Sequence, residues 1–156
     1  MFDRKPHPHV EMLRAIYADL SLLTEFASKD IVLHAAGPRD IMPAGSRGIM
    51  TGDYIGKRAV LARETELFRR SGGSLVMTPG DIVANDYFGV VLGRLAANRH
   101  GHRYEGEFCG LWRFQDGRIV EHWENAADWP AAERFFVDGF SDEANAEPAD
   151  MRHSTE

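Results

Sequence analysis

The spacing of hydrophobic residues changes from a helical period near the start of the chain to strand-like alternation in its second half. Pro8 suits the first turn of a helix, where its missing N–H costs nothing. The apolar side chains that follow recur every three or four positions as one stripe, which comprises Val10, Leu13, Tyr17 and Leu20, with Ile16 beside it. This pattern predicts a helix that begins at Pro8 and a second, short helical segment over residues 20–27.

An apolar run at residues 31–36 comes next and predicts a strand, since Lys29-Asp30 precedes it and Gly37-Pro38 ends it. The connection over residues 37–56 is rich in Gly and Pro and is long for a compact domain. Such connections are typically functional or mobile. A helix is predicted over residues 57–70, with Ser71-Gly72-Gly73 ending it. Its core candidates are Val60, Leu67 and Phe68.

The remainder of the chain predicts four strands and a last helical turn. The strands cover residues 75–84, 88–98, 103–115 and 118–127, and the helical turn covers residues 129–136. Asp116-Gly117 fits a two-residue hairpin turn, because both residues tolerate a positive φ. Helices followed by a meander of strands indicate an α+β fold, in which one antiparallel sheet carries helices on one face. A sheet that curls around those helices makes a cone with a pocket at its mouth.

The last hairpin carries aromatic and polar side chains on alternating faces. Before the turn, Phe108, Trp112 and Phe114 share a face with Gly110. After it, His122 and Glu124 share one face, whereas Glu121 and Trp123 point the other way. Both sets mix apolar and polar residues, so alternation leaves open which face lines a pocket and which face meets a partner.

Length, composition and charge restrict the class of protein. With 156 residues, 44% hydrophobic and 27% charged, the chain suits a single globular domain. The net charge of −6 and scattered basic residues argue against nucleic-acid binding. The absence of a long apolar run argues against a membrane span, and the start of the chain lacks an apolar signal core, so we expect a cytoplasmic location. The lone Cys109 is expected to be a buried structural residue.

The acidic stretch from Ser141 lacks apolar periodicity. It therefore predicts a disordered tail over residues 141–156 behind one domain over residues 1–140.

Three phrases of the sequence resemble a known family: TGDYIGKRAV before the long helix, SGG at its end and DGRIVEHW in the last hairpin. With the order of elements, they resemble the nuclear transport factor 2-like superfamily, especially its bacterial SnoaL-like and ketosteroid-isomerase-like members, over residues 10–136. The resemblance implies a curved antiparallel sheet wrapped around about three N-terminal helices, with a cone-shaped pocket, and a homodimer. Because this fold hosts isomerases, cyclases, epoxide hydrolases, dehydratases and plain binding modules, it does not by itself identify a reaction.

The resemblance also implies roles for individual residues. The segment ASKDIVLHAAG places His34 where ketosteroid isomerase has its general base, and Tyr17 matches a hydrogen-bond-donating tyrosine. Gly110 stands where the isomerase has a second donor, a protonated aspartate, so steroid isomerisation by that mechanism is not expected. Asp128 is the nearest counterpart of the catalytic aspartate of SnoaL-like cyclases, and its alternative role is an N-cap for the last helical turn.

These residues lead to two hypotheses. In the first, the protein is a cofactor-independent proton-transfer enzyme (isomerase, cyclase, dehydratase or hydratase) on a small apolar, carbonyl-bearing or polyketide-like substrate. His34 and Tyr17 would move the proton, and His122 or Glu124 would orient His34 or be a second acid-base group if their face of the last strand is the concave one. In the second, the same pocket is a non-catalytic binding module for a hydrophobic ligand or partner, and His34 is a satisfied core histidine. The expected ligand contacts are Tyr54, Phe108, Trp112 and Trp123.

A metal site is a competing interpretation, because His100, His102 and Glu107 resemble the first metal motif of cupins. Gly101 marks a hairpin turn between the two histidines, and Glu107 has the opposite strand parity to His102, so no metal is expected. No phosphate-binding Gly motif is present either, and no nucleotide cofactor is expected.

Overall fold

The computed structural model describes residues 5–37 and 49–138. Helix α1 spans Pro8–Ala18, a 3₁₀ turn covers Leu20–Leu22, and α2 covers Leu23–Phe26. Helix α3 spans Lys57–Arg70, and α4 spans Trp129–Glu133 and continues as a π-helical turn over Arg134–Asp138. Helix α1 begins where predicted, with Pro8 in its first turn and the His7 ring accepting a hydrogen bond from the backbone N–H of His9.

Six strands form one sheet. They are β1 (Ala27–His34), β2 (Asp53–Ile55), β3 (Val76–Ala84), β4 (Phe88–Arg99), β5 (His102–Gln115) and β6 (Arg118–Ala126), in the order β2-β1-β6-β5-β4-β3. Neighbouring strands are antiparallel except β1 and β6, which run parallel. The predicted α+β fold with a curved sheet is confirmed. The parallel pair was not foreseen, because it joins strands from the two ends of the domain.

Turn chemistry determines several element ends. Asp116 and Gly117 have φ values of 52° and 78°, as the predicted two-residue turn requires. His100 and Gly101 repeat this geometry, with φ values of 51° and 78°. The sequence-based ends of α3 match the observed ones.

The largest differences from the predictions lie around the first strand. Strand β1 begins four residues earlier than expected, and Lys29-Asp30 belongs to it. Strand β2 lies within the long connection and pairs with the end of β1. Three residues are too few to show alternation, so no pattern indicated it. The rest of that connection, over residues 38–48, and the predicted tail lie outside the described residues.

The concave face of the sheet packs on the helices. The completely buried side chains between them come from α1 and from the three strands β1, β4 and β6: Leu13, Ile16, Ile31, Leu33, Val91 and Ile119. Phe108, Trp112 and Phe114 also lie on this face and are 8%, 2% and 2% exposed. The helices cover this face of the sheet, so the three aromatic side chains form no exposed patch for a partner.

Candidate functional site

A pocket opens between the concave face of the sheet, α1, α3 and the terminal helical turn. It holds about 700 Å³ of empty space, including its open mouth. Apolar side chains make up most of its wall, among them Leu20, Leu67, Met77 and Phe136. Polar and charged side chains also line the pocket, and they include Tyr17, Arg63, Glu64, His122 and Glu124. This contrast between an apolar wall and a few polar groups is typical of small-molecule sites.

Strand pairing decides which side of β6 lines the pocket. His122 lies opposite Trp112, and Glu124 lies opposite Gly110. All four residues line the pocket, whereas Glu121 and Trp123 do not. The question that alternation left open is thus answered in favour of His122 and Glu124.

The His122 ring is 5% exposed and stacks on Trp112, with ring centroids 3.5 Å apart. Its Nδ1 lies 2.8 Å from the backbone oxygen of Leu111. Because a carbonyl oxygen only accepts hydrogen bonds, Nδ1 carries the hydrogen and Nε2 keeps its lone pair. Among the described residues, Nε2 has no hydrogen-bond partner. Burial lowers the pKa of His122 to about 4, although the negative charge of Glu124 acts to raise it. The ring is therefore neutral near pH 7.

Tyr17 and Trp112 place two hydrogen-bond donors beside Gly110. A Cβ atom built on Gly110 would overlap the Tyr17 hydroxyl and lie 3.1 Å from Trp112 Nε1. Within the described part of the chain, the buried Trp112 N–H has no hydrogen-bond partner. Burial raises the pKa of Tyr17, so its hydroxyl keeps its proton. The Tyr17 hydroxyl occupies the space that the side chain of an aspartate at position 110 would need. Glycine fits at this position because it has no side chain.

A buried charge cluster lies next to these groups. The Arg63 side chain is completely buried and donates to both Glu124 oxygens, at 2.5 and 2.6 Å. It also donates to Glu64 Oε1 at 3.0 Å and to the Ile49 carbonyl at 3.1 Å. Burial raises the pKa of Glu64 to about 7 despite the Arg63 charge. Burial alone would raise the pKa of Glu124 as well, but the charge and hydrogen bonds of Arg63 outweigh burial and lower it.

The sequence reasoning missed Arg63 and Glu64, although a signal was present. Val60, Arg63, Glu64 and Leu67 are spaced as the apolar stripe of an amphipathic helix, and all four are buried on α3. Two adjacent charged residues inside such a stripe need a buried partner. Glu124 provides it from β6.

Comparison with known families decides the relationship that the sequence phrases suggested. The sequence profile of the SnoaL-like domain matches residues 10–122, which is most of the chain. The protein belongs to the SnoaL-like domain family. A comparison with curated proteins finds no relative of this SnoaL-like domain.

Solved structures show the same fold at low sequence identity. Bal32a, from a soil-derived mobile gene cassette, is 24% identical with a TM-score of 0.68, over 81% of this chain and 94% of that one. A candidate SnoaL-like polyketide cyclase from Jannaschia sp. CCS1 is 13% identical with a TM-score of 0.66, over 88% and 98%. TerC, which was co-crystallised with polyporic acid, is 18% identical with a TM-score of 0.67, over 83% and 98%.

The SnoaL-like domain holds His34 on the other side of the sheet from Tyr17. Its Nδ1 lies 2.7 Å from Asp53 Oδ1, and its Nε2 lies 2.5 Å from Glu121 Oε2. The ring stacks on Trp123, with centroids 5.1 Å apart. The geometry that we expected, with His34 and Tyr17 in one pocket, is wrong. Strand alternation is the reason, because β1 turns Ile31 and Leu33 into the core and His34 outward.

Only some of the remaining predicted site residues line the pocket. Phe108 and Trp112 line the pocket, but Trp123 and Tyr54 do not. Tyr54 packs at the edge of the core, with Arg63 Cζ 5.9 Å from its ring centroid. Asp128 accepts a hydrogen bond at 3.1 Å from the Ala131 N–H and caps α4, which is its alternative role.

The described ranges show neither a metal cluster nor a membrane-spanning helix. His100 lies in the turn before β5, and Glu107 contacts Arg94 at 3.4 Å. Across residues 5–37 and 49–138, no three metal-ligating side chains are grouped together. No helix in those ranges is long and apolar enough to cross a bilayer.

Proposed function

We propose that this SnoaL-like domain is a small-molecule enzyme of the isomerase or cyclase type that moves a proton on a carbonyl-bearing, polyketide-like substrate without a cofactor. One observation supports it above the others. Donor groups on Tyr17 and Trp112 lie beside Gly110 with the His122 ring, whose Nε2 keeps a lone pair, in a pocket with a largely apolar wall. A carbonyl compound needs both kinds of group, a donor for its oxygen and an acceptor for its acidic C–H.

The geometry suggests a sequence of events. A substrate carbonyl accepts a hydrogen bond from the Tyr17 hydroxyl, which keeps its proton because burial raises its pKa. Nε2 of His122 takes a proton from the carbon beside that carbonyl, and the C–H electron pair becomes the enolate. Glu124, on the same face of β6, favours the imidazolium that forms, because its charge raises the pKa of His122. The apolar wall lowers the local dielectric constant, which strengthens these interactions.

The substrate class rests on the pocket and on a structural neighbour. Aromatic side chains flank the polar groups, and the Tyr17 and Phe108 rings stack with centroids 5.4 Å apart. Flat, apolar molecules with ring carbonyls fit such walls. TerC, a structural neighbour, was co-crystallised with polyporic acid. We therefore choose polyporic acid as the binding probe, and cyclic ketones and polyketide-like aromatics as the substrate panel.

Tyr17→Phe is expected to lower turnover by about 10²-fold to 10³-fold, as the loss of one oxyanion donor does elsewhere. Quenching of tryptophan fluorescence by polyporic acid will show whether the pocket still binds. Tyr87→Phe is the matched control, because Tyr87 is 68% exposed and lies outside the pocket. Turnover that survives Tyr17→Phe but is lost with His34→Ala would reject the pocket-based assignment in favour of the one based on the first strand.

A binding module is the second candidate, and the predominantly apolar lining favours it. It predicts that polyporic acid binds while no ketone of the panel exchanges its α-hydrogens with deuterated water. The same Tyr17→Phe variant would then weaken binding and change no rate.

We also propose a homodimer that buries the outer face of the sheet. Val83, Val90 and Leu111 lie in one row across three strands on that face. Val83 is 70% exposed, and the nearby Phe88 and Leu92 are 52% and 48% exposed. Light scattering is expected to give twice the chain mass for the wild type and the single chain mass for Leu92→Lys. A wild type that is monomeric at micromolar concentration would refute the dimer.

A further inference from the structure

The pocket contains more carboxyl groups than positive charges. Glu64 and Glu124 both bond to Arg63, and Arg63 is the one cation among the described residues that line the pocket. Both oxygens of Glu124 engage the guanidinium in a two-pronged pair. Glu64 reaches the guanidinium through one nitrogen, Nη1, which Glu124 already uses. One guanidinium therefore balances Glu124 and leaves Glu64 without its own counter-charge.

A second buried negative charge would be costly here. The Glu64 side chain is 9% exposed and that of Glu124 is 22% exposed. The other titratable pocket groups that act on this pair are Tyr17 and His122, which are neutral near pH 7. When two carboxyl groups share one site, the state with one proton and one negative charge is more stable than the state with two negative charges.

We propose that Glu64 carries this proton and is a further acid-base group of the pocket, delivering the proton to the substrate while Arg63 keeps Glu124 charged. This inference rests on the proposed proton-transfer function. His122 removes a proton from carbon, and the C–H electron pair becomes the enolate. Glu64 donates its proton to the enolate at carbon or oxygen and becomes a carboxylate. The proton on His122 then returns to Glu64, so no proton is gained or lost.

Two measurements test the proposal, and the first does not depend on turnover. Infrared spectra of the ligand-free protein with ¹³C-labelled glutamate report protonated carboxyl groups directly. We expect a wild-type acid signal that persists above the ordinary pKa of Glu, about 4.3, and is absent from Glu64→Gln. The control is Glu66→Gln, because Glu66 lies on the same helix, bonds to Arg69 and Arg70, and does not line the pocket.

The second measurement follows exchange of the α-hydrogens of 2-tetralone, a bicyclic ketone, in deuterated water by NMR. Glu64→Gln is expected to slow exchange by about 10²-fold, the contribution typical of one acid-base group. Its affinity for polyporic acid should stay within about twofold of the wild type. Glu66→Gln should exchange as the wild type does.

Each outcome separates the two proposals. An acid signal that is missing from the wild type or unchanged in Glu64→Gln overturns the role of Glu64, whatever the enzyme does. Wild-type exchange at an unchanged rate in Glu64→Gln overturns it as well. An acid signal that depends on Glu64, together with no exchange of any ketone by the wild type, refutes the proposed function and with it the catalytic role.

Discussion

Arg63→Met is expected to lower the free energy of unfolding at pH 7 by about 3–5 kcal/mol, because removal of one partner strands buried charge. The change leaves two carboxyl groups in the pocket with no cation among its described lining residues. The Arg63 charge and hydrogen bonds are what lower the pKa of Glu124, so that pKa will rise in the variant. Urea unfolding followed by circular dichroism measures the difference.

The pH dependence distinguishes this effect from a simple loss of packing. Arg63→Met should regain stability as the pH falls from about 7 to 5, because protonation removes the stranded charges. Arg69→Met is the matched control, since Arg69 lies on the same helix and is 70% exposed in its pair with Glu66. It should cost less than about 1 kcal/mol. Arg63→Met with Glu124→Met should recover most of the loss, because apolar replacement of a buried pair is often neutral. A double variant as unstable as the single one would contradict the charge argument.

Glu64→Gln and His122→Asn are expected to give opposite dependences of stability on pH. The pKa of His122 falls from 6.5 to about 4 in the folded protein, so the unfolded chain binds more protons between these values. The contribution of His122 to the free energy of unfolding therefore increases as the pH rises from about 4 to 6.5. The pKa of Glu64 rises from 4.5 to about 7, so the folded protein binds more protons and stability falls as pH rises. In the wild type the two slopes oppose each other.

Single variants should reveal each slope. Between about pH 4.5 and 6.5, Glu64→Gln should gain stability with rising pH and His122→Asn should lose it, each by about 3 kcal/mol at most. Asparagine retains a side-chain N–H that can donate to the Leu111 carbonyl. The substitution therefore removes the titratable imidazole and can keep this hydrogen bond. Urea unfolding at a series of pH values provides the test. If both variants follow the wild-type curve, neither pocket group titrates as the structure indicates.

Local features of the sequence were sufficient for most of the elements and for the fold class. The apolar stripe after Pro8 and the Gly pair after α3 placed two helices, and the positive-φ turn at Asp116-Gly117 placed the last hairpin. Such signals act over a few residues, so they can be read without knowing the fold. Strand β2 was not predicted, because its three residues are too few to show the alternation of a strand.

The candidate site was only half predictable. Tyr17, Trp112, Phe108 and His122 were named from the sequence and do line the pocket. His34 was placed in the pocket because the segment ASKDIVLHAAG resembles the one that holds the general base in ketosteroid isomerase. A shift of one position on a strand moves a side chain to the opposite face of the sheet. Arg63 was overlooked because a charged residue on a helix is usually solvated, and its partner Glu124 is 61 residues away in the sequence.

The sequence by itself determined which residues share a face of each helix and strand, and where the turns fall. Tertiary structure alone decided which face of the sheet the helices cover, and so whether His122 or Trp123 meets a ligand. It also brought Arg63 and Glu64 of α3 to Glu124 of β6. The physical reason is that alternation is a local property of the backbone, whereas burial and charge pairing depend on contacts between segments that are distant in sequence.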